Sequence, residues 1–212
     1  MGSLEEQIKL EQDNSSQYNT TQPMDRMIKK EREELRQLII REAYFREKIT
    51  LSSGKESDYY IDARRVTLTA RGAYLCARLI LDKLAGVNYD AIGGPTLGAD
   101  PMVGALGVLS LQAGHPKNTF IIRKSPKGHG KQQQIEGPSL AKGARVVLVD
   151  DVATTGKALA ESIDVLSNIG VETVKAVCLV DRGEGAREAV AARHCELAAL
   201  FDISEIHPSS PR

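Results

Sequence analysis

The 212-residue chain is predicted to fold as an α/β domain, a mostly parallel sheet with helices on both faces. Three observations predict it. From Tyr89 to Phe201, short apolar runs alternate with longer amphipathic ones, the pattern of successive strand–helix units. The run Val146-Val147-Leu148-Val149 is apolar at every position instead of alternating, as a strand covered on both faces must be. These runs empty into small-residue turns before the next helix begins, at Gly93-Gly94-Pro95, at Ala153-Thr154-Thr155-Gly156 and at Gly183.

The elements follow in chain order. Residues 1–23 are polar, rich in Gln, Asn, Ser and Thr, and lack any period that could pack, so they are expected to form a disordered tail. The folded domain is expected to span 24–212. From Met24 to Arg46, Met27, Leu35, Leu38, Ile39 and Ala43 share one face among many charges, which predicts an amphipathic helix. Tyr59–Ala63 reads as a short strand. Thr69 can cap a helix running to Leu84, which Gly86 closes. A strand at Tyr89–Ile92 leads through a glycine turn to a helix ending near Gln112, and Thr119–Arg123 is a strand. Ser125–Pro138 has no apolar period and reads as a long exposed loop, of a length that is usually functional or disordered. Then come strand 146–150, helix 155–168, strand 173–181, helix 184–193 and strand 196–201.

Composition narrows the function classes. Lys+Arg and Asp+Glu both number 28, so no global basic field favours nucleic acid, and any anion site must be built locally. No apolar run reaches the ~18 residues of a membrane helix, and the amino terminus lacks the apolar segment of a secretory signal. The three cysteines, Cys76, Cys178 and Cys195, are scattered and fit a reducing, cytoplasmic setting as small core residues.

Four segments carry chemistry. In Val146–Ala158, a buried strand ends in Asp150 and Asp151 and passes through Thr154-Thr155-Gly156 into a helix. Free N–H groups and the helix dipole at such a turn suit an anion, and the two acids suit sugar hydroxyls or a metal-bound water. Neighbours on a strand point to opposite faces, so a carboxylate pair sharing one proton is not expected. A helix N-cap needs one Asp, and two exceed that need. Thr155-Gly156-Lys157 resembles the end of a P-loop, but Asp151 and Ala158 occupy positions where that motif requires Gly and Ser or Thr. In Arg123–Lys131, four permanent cations and His129 occur without an acid. A solvated charge run is the bland reading. Its place in a long glycine-containing loop at a strand end favours a lid that closes over a polyphosphate. Gly93–Ala99 permits close backbone approach but does not match the dinucleotide fingerprint, and a packing turn is an equal reading. Past the next strand end, Asp181-Arg182-Gly183-Glu184-Gly185 offers a guanidinium fork for a planar carboxylate.

In this order, the segments resemble the phosphoribosyltransferase family, and within it the orotate enzymes. Val146–Ala158 resembles the family's signature for 5-phosphoribosyl 1-diphosphate (PRPP), which does not by itself select the base. Thr50–Lys55 with Ser57-Asp58-Tyr59-Tyr60 resembles the orotate enzymes' amino-terminal substrate segment, and Gly93–Ala99 their pyrophosphate loop. Arg123-Lys124 with Lys127, His129, Glu136 and Gly137 resembles their catalytic loop, and Asp181–Gly185 their orotate-contacting turn. The resemblance covers Met24 to the carboxyl end and implies the family fold with a small amino-terminal hood. It departs from the family where Ser52 and Leu97 stand for basic residues of some members, and where Lys157 replaces a usually small residue.

The resemblance implies transfer of phosphoribose to N1 of orotate, giving orotidine 5′-phosphate and pyrophosphate in pyrimidine biosynthesis. Asp150 and Asp151 would hold the ribose hydroxyls, with Lys127 the third catalytic residue. Thr154, Thr155, Gly156, Lys157 and Ala158 would anchor the 5′-phosphate, with Val152 and Ala153 also in the PRPP site. Arg123, Lys127 and His129 would neutralise the leaving pyrophosphate, with Lys124 also binding PRPP, while Thr154 and Arg182 would contact orotate. Mg²⁺ would arrive through PRPP and water, without direct protein ligands. A homodimer, with the basic loop acting across its interface, is also implied, and neither a nucleic acid nor a membrane is an expected partner. The alternatives are a family member acting on another base, or a non-catalytic PRPP-sensing regulator on the same fold.

Overall fold

The structure is a computed structural model that describes residues 21–50, 56–125 and 134–207. Helix α1 spans Thr21–Leu38 and continues as one π-helical turn, Ile39–Ala43, which the Tyr44 N–H closes on the Ile39 carbonyl. The helix thus starts inside the segment read as tail, and ends well before Arg46. Its inward stripe is Leu35, Ile39 and Ala43, all fully buried. Met27 is exposed, contrary to the predicted face, and Ile28 packs against the core in its place, whereas Glu31 is buried against Tyr74 and Arg78.

A small hood follows, built from two antiparallel pairs. β1 (Tyr44–Phe45) pairs with β4 (Tyr60–Ile61), and β2 (Ile49–Thr50) pairs with β3 (Glu56–Ser57). The strand expected at 59–63 is thus only two residues long. It gives way to a one-turn helix, α2 (Arg64–Thr67), too short to leave a period in the sequence. Thr69 caps α3 (Ala70–Lys83) as predicted, its Oγ1 accepting the Gly72 N–H at 3.0 Å, and Gly86 beyond the end has a φ of +80°.

The main sheet has six strands in the order β10-β9-β8-β5-β6-β7. They are β5 (Ala91–Pro95), β6 (Asn118–Ile122), β7 (Ile135–Glu136), β8 (Arg145–Ala153), β9 (Glu172–Asp181) and β10 (Leu197–Asp202). All pairs are parallel except β6–β7. Helices α4 (Asp100–Gln112), α5 (Lys157–Asn168), α6 (Ala186–Ala191) and α7 (Ile203–Ile206) complete the chain. Alternation along β8 divides the core. Val147 and Val149 join one buried cluster with α1, α3 and α4, and Val146 and Leu148 join the other with α5 and α6.

Two differences from the sequence reading bear on function. The end of the predicted 125–138 loop is ordered as β7, an edge strand bonded to β6 and too short for periodicity to find. And β8 does not stop at Asp150 but runs on to Ala153, with Asp150 opposite Cys178 and Val152 opposite Val180.

Candidate active site at the carboxyl end of the sheet

Because β8 continues, its two acids lie inside the strand and point to opposite layers. Asp150 lines a cavity of about 460 Å³ together with Arg123, Lys124 and the turn 152–158. Asp151 faces the other layer, against Gly98. Neither caps a helix: Asp150 Oδ1 accepts the Asp151 N–H at 2.9 Å, and Asp151 Oδ1 accepts the Val152 N–H at 2.7 Å. The two side chains leave on opposite faces, as alternation along a strand leads one to expect, yet Asp150 still feels the Asp151 charge. Burial and then the Asp151 charge push the Asp150 carboxyl well above its ordinary range, with Lys124 opposing. Burial raises Asp151 too, against the pull of Arg64.

The turn after β8 leaves the helix beyond it open to an anion. Gly156 is the N-cap of α5 with a φ of +73° and offers no side-chain acceptor to the first-turn N–H groups. Those amides and the positive end of the helix therefore face the cavity without a built-in carboxylate. No other residue fits this position, since a Cβ would lie 2.8 Å from Ala186 Cα. Thr154, Thr155, Lys157 and Ala158 all line the same cavity. Lys157 Nζ stands 3.7 Å from Glu161 Oε1, a loose and exposed pair at the cavity edge.

The basic loop begins at the rim. The Arg123 N–H donates to the Gln134 carbonyl at 2.8 Å, closing the base of the segment, and the Arg123 side chain is paired with Glu136 at 3.5 Å. Lys127 and His129 lie outside the described residues, as do Ser52, Ser53, Gly54 and Lys55.

The glycine segment divides into two parts. Gly93 and Gly94 lie within β5, not in the turn, and serve packing. A Cβ on Gly93 would come within 2.2 Å of the Phe120 carbonyl oxygen, and one on Gly94 within 2.0 Å of that of Val149. Gly98 is different, because a Cβ there would meet an Asp151 carboxylate oxygen at 2.3 Å. The 96–99 turn, which contains a cis Thr96–Leu97 peptide, is thereby brought directly against the second acid.

Arg182 is joined to the same strand end, its N–H donating to the Ala153 carbonyl at 2.9 Å. Its side chain is only 6% exposed. Nε donates to Glu184 at 2.8 Å, Nη2 to Ser57 Oγ at 3.1 Å, and the guanidinium lies 4.4 Å from the centre of the Tyr59 ring. The sequence reading named Ser57, Tyr59 and Glu184 within segments that resemble the orotate enzymes' substrate-contacting parts, but not as supports of Arg182, and it did not name Arg64. Asp181 is structural: it accepts from Arg187 Nε and the Gly183 N–H. The cysteines are free and buried, and burial followed by the Asp151 charge pushes the Cys76 thiol up to about 12.

Comparison with known proteins agrees with this geometry. The family described as phosphoribosyl transferase domain matches residues 70–196. The chain is 44% identical over 183 residues to the orotate phosphoribosyltransferase of Thermosynechococcus vestitus, covering 86% of this chain and 96% of that protein. Among solved structures, it is similar to Mycobacterium tuberculosis orotate phosphoribosyltransferase, with a TM-score of 0.72 at 37% identity over 84% of this chain and 99% of that one. A second structure of that enzyme, in complex with PRPP, gives a TM-score of 0.69 at 35% identity over 83% and 98% of the two chains.

Proposed function

This chain belongs to the orotate phosphoribosyltransferase family and transfers a 5-phosphoribosyl group from PRPP to orotate, and we propose how its residues divide that work. One observation carries the proposal. The end of β8 delivers the Asp150 carboxylate and an uncapped helix turn to a cavity rimmed by Arg123 and Lys124, with Asp151 beside it on the strand's other face, while the Arg182 N–H is hydrogen-bonded to the strand's last residue.

The 5′-phosphate sits on the N–H groups of Thr154–Ala158, which fixes the donor at one end. Asp150 and Asp151 hold the ribose hydroxyls from the two faces of β8. As the C1–O bond lengthens, positive charge grows on the ribose, and the same carboxylates stabilise it. Arg123, Lys124, Lys127 and His129 receive the charge of the departing pyrophosphate. Arg182 pairs with the orotate carboxylate, and Thr154 meets the base, so that N1 is aimed at the anomeric carbon.

The acids fit a nearby Mg²⁺: each offers hard carboxylate oxygens, Asp150 lining the cavity, and burial raises both carboxyls, which a nearby divalent cation relieves. When bound, Mg²⁺ supplies positive charge to the leaving pyrophosphate. Asp150 and Asp151 would face it through ribose hydroxyls and water.

A homodimer with the basic loop reaching the neighbouring site follows from the same reading. Its support is a set of exposed large apolar side chains, Leu97 just before α4, Val108 and Leu111 on it, and Leu68 just after α2. A cytoplasmic setting is supported by the free, buried cysteines. Among the described residues, no helix is long and apolar enough to cross a membrane.

Two measurements test the proposal. Orotate absorbance should fall when the protein, PRPP and Mg²⁺ are mixed, and chelation with EDTA should stop the fall. An enzyme that leaves orotate untouched but consumes a purine base would overturn the assignment of the acceptor. Separately, Gly98→Ala should cost about 10²-fold in kcat/KM, because a methyl group there displaces the Asp151 carboxylate. Circular dichroism should show the fold intact. Activity within two- to three-fold of wild type, on the order of a neutral change, would mean that Asp151 does not act at the ribose.

A further inference from the structure

Arg182 is a nearly buried cation whose position is set by its own turn and by the distant hood segment. Its Nε donates to Glu184 and its Nη2 to Ser57, and its side chain also interacts with the Tyr59 hydroxyl. Its flat face rests on Tyr59. Tyr59 in turn belongs to a cluster that the reaction as described does not use. The Tyr44 ring stacks on Tyr59, with centroids 5.8 Å apart and planes at 20°. The Tyr44 hydroxyl is hydrogen-bonded to His207 Nδ1 at 2.6 Å, and the His207 ring also packs against Tyr59 at 5.2 Å.

His207 is itself anchored. It follows α7, where Arg32 Nη2 binds Glu205 Oε2 at 2.7 Å and Arg36 Nη1 binds the Glu205 carbonyl at 2.9 Å. The cluster therefore joins α1, the hood and the carboxyl-terminal helix behind one guanidinium. Apolar side chains would fill such a space equally well. A short, directional hydroxyl–imidazole bond does more, because it fixes the rotation of the Tyr44 ring and with it the platform beneath Tyr59.

We propose that Tyr44, Tyr59 and His207 form a clamp that positions Arg182 for the acceptor's carboxylate, making His207 and Tyr44 determinants of acceptor affinity. They are positioning residues and touch no substrate. The proposal rests on the reading of Arg182 as the carboxylate partner. The clamp acts by pre-organisation: a guanidinium already held in its binding geometry loses little freedom when the ligand docks.

The test is steady-state kinetics on the full-length enzyme, with KM measured for orotate and for PRPP. Tyr44→Phe and His207→Ala should each raise KM for orotate about five- to ten-fold, the scale of one lost hydrogen bond. KM for PRPP, kcat and the thermal midpoint should stay near wild type. His207→Asn, whose side-chain amide reaches the position of Nδ1, should restore KM for orotate to within about two-fold. Equal rises in both KM values with a lower thermal midpoint would show that the cluster only holds the hood in place and overturn the clamp. So would an unchanged KM for orotate in both variants while Arg182→Ala raises it. An Arg182→Ala enzyme with wild-type KM for orotate would overturn the clamp together with the reading beneath it.

Discussion

Replacing Asp150 with Asn is expected to lower kcat/KM by about two orders of magnitude while making the ligand-free protein more stable. The loss follows from the reaction: the amide keeps the hydrogen bonds to ribose hydroxyls and loses the negative charge that favours an oxocarbenium-like ribose. The gain follows from the site. Asp150 is buried beside Asp151, and burial with that neighbouring charge holds its carboxyl well above its ordinary range. Its amide replacement can still accept the Asp151 N–H through Oδ1. Relief of a strained active-site group of this kind is worth about 1 kcal/mol.

The pH dependence has a definite sign. A carboxyl whose folded pKa is raised carries no penalty at pH below its unfolded value, where both states hold the proton. As pH rises through the window between the unfolded and folded values, the unfolded chain ionises first and stability falls. The wild-type protein should therefore lose stability relative to Asp150→Asn as pH rises above about 4, and the gap should level off above the raised value. Thermal melts of the two proteins from pH 3 to 8 without ligand measure it. A variant less stable than wild type at neutral pH would show that Asp150 is not destabilised by its surroundings.

Lys127→Ala is expected to lower kcat by about 10²- to 10³-fold, with a smaller effect on KM for PRPP. Charge builds on the pyrophosphate oxygens mainly as the C1–O bond breaks, so a cation placed there favours the transition state over bound PRPP. Lys127 lies outside the described residues, but the segment that carries it leaves the cavity rim at Arg123-Lys124 and is closed at its base by the Arg123–Gln134 bond. Single-turnover measurements with saturating PRPP separate this step from binding. A rate within a few-fold of wild type would remove Lys127 from the chemistry.

The parts of the site legible in the sequence are those where adjacent residues do the work. The β8 acids, the small-residue turn and the helix after it form one continuous run, so their order alone puts carboxylates and free amides at a strand's carboxyl end. The parallel sheet was legible for a similar reason, because a strand covered on both faces must be apolar at every position. Elements of two to four residues, β7 and α2 among them, were not, since a period needs more residues than they have. The glycines show the same limit. Gly93, Gly94 and Gly98 stand close together in sequence, yet the first two make room for neighbouring strands and the third for the Asp151 carboxylate.

The sequence by itself determined the α/β architecture, the position of the acid pair and the local excess of cations at 123–131. Each of these depends on neighbours along the chain. Tertiary structure alone decided that both acids are buried, which raises their carboxyls. It alone decided that Gly98 abuts the second acid, and that Arg182 is buried on Tyr59 with Tyr44 and His207 behind it. Those contacts join residues up to 163 positions apart. Their energies depend on distance, burial and ring orientation, which folding sets and local composition does not encode.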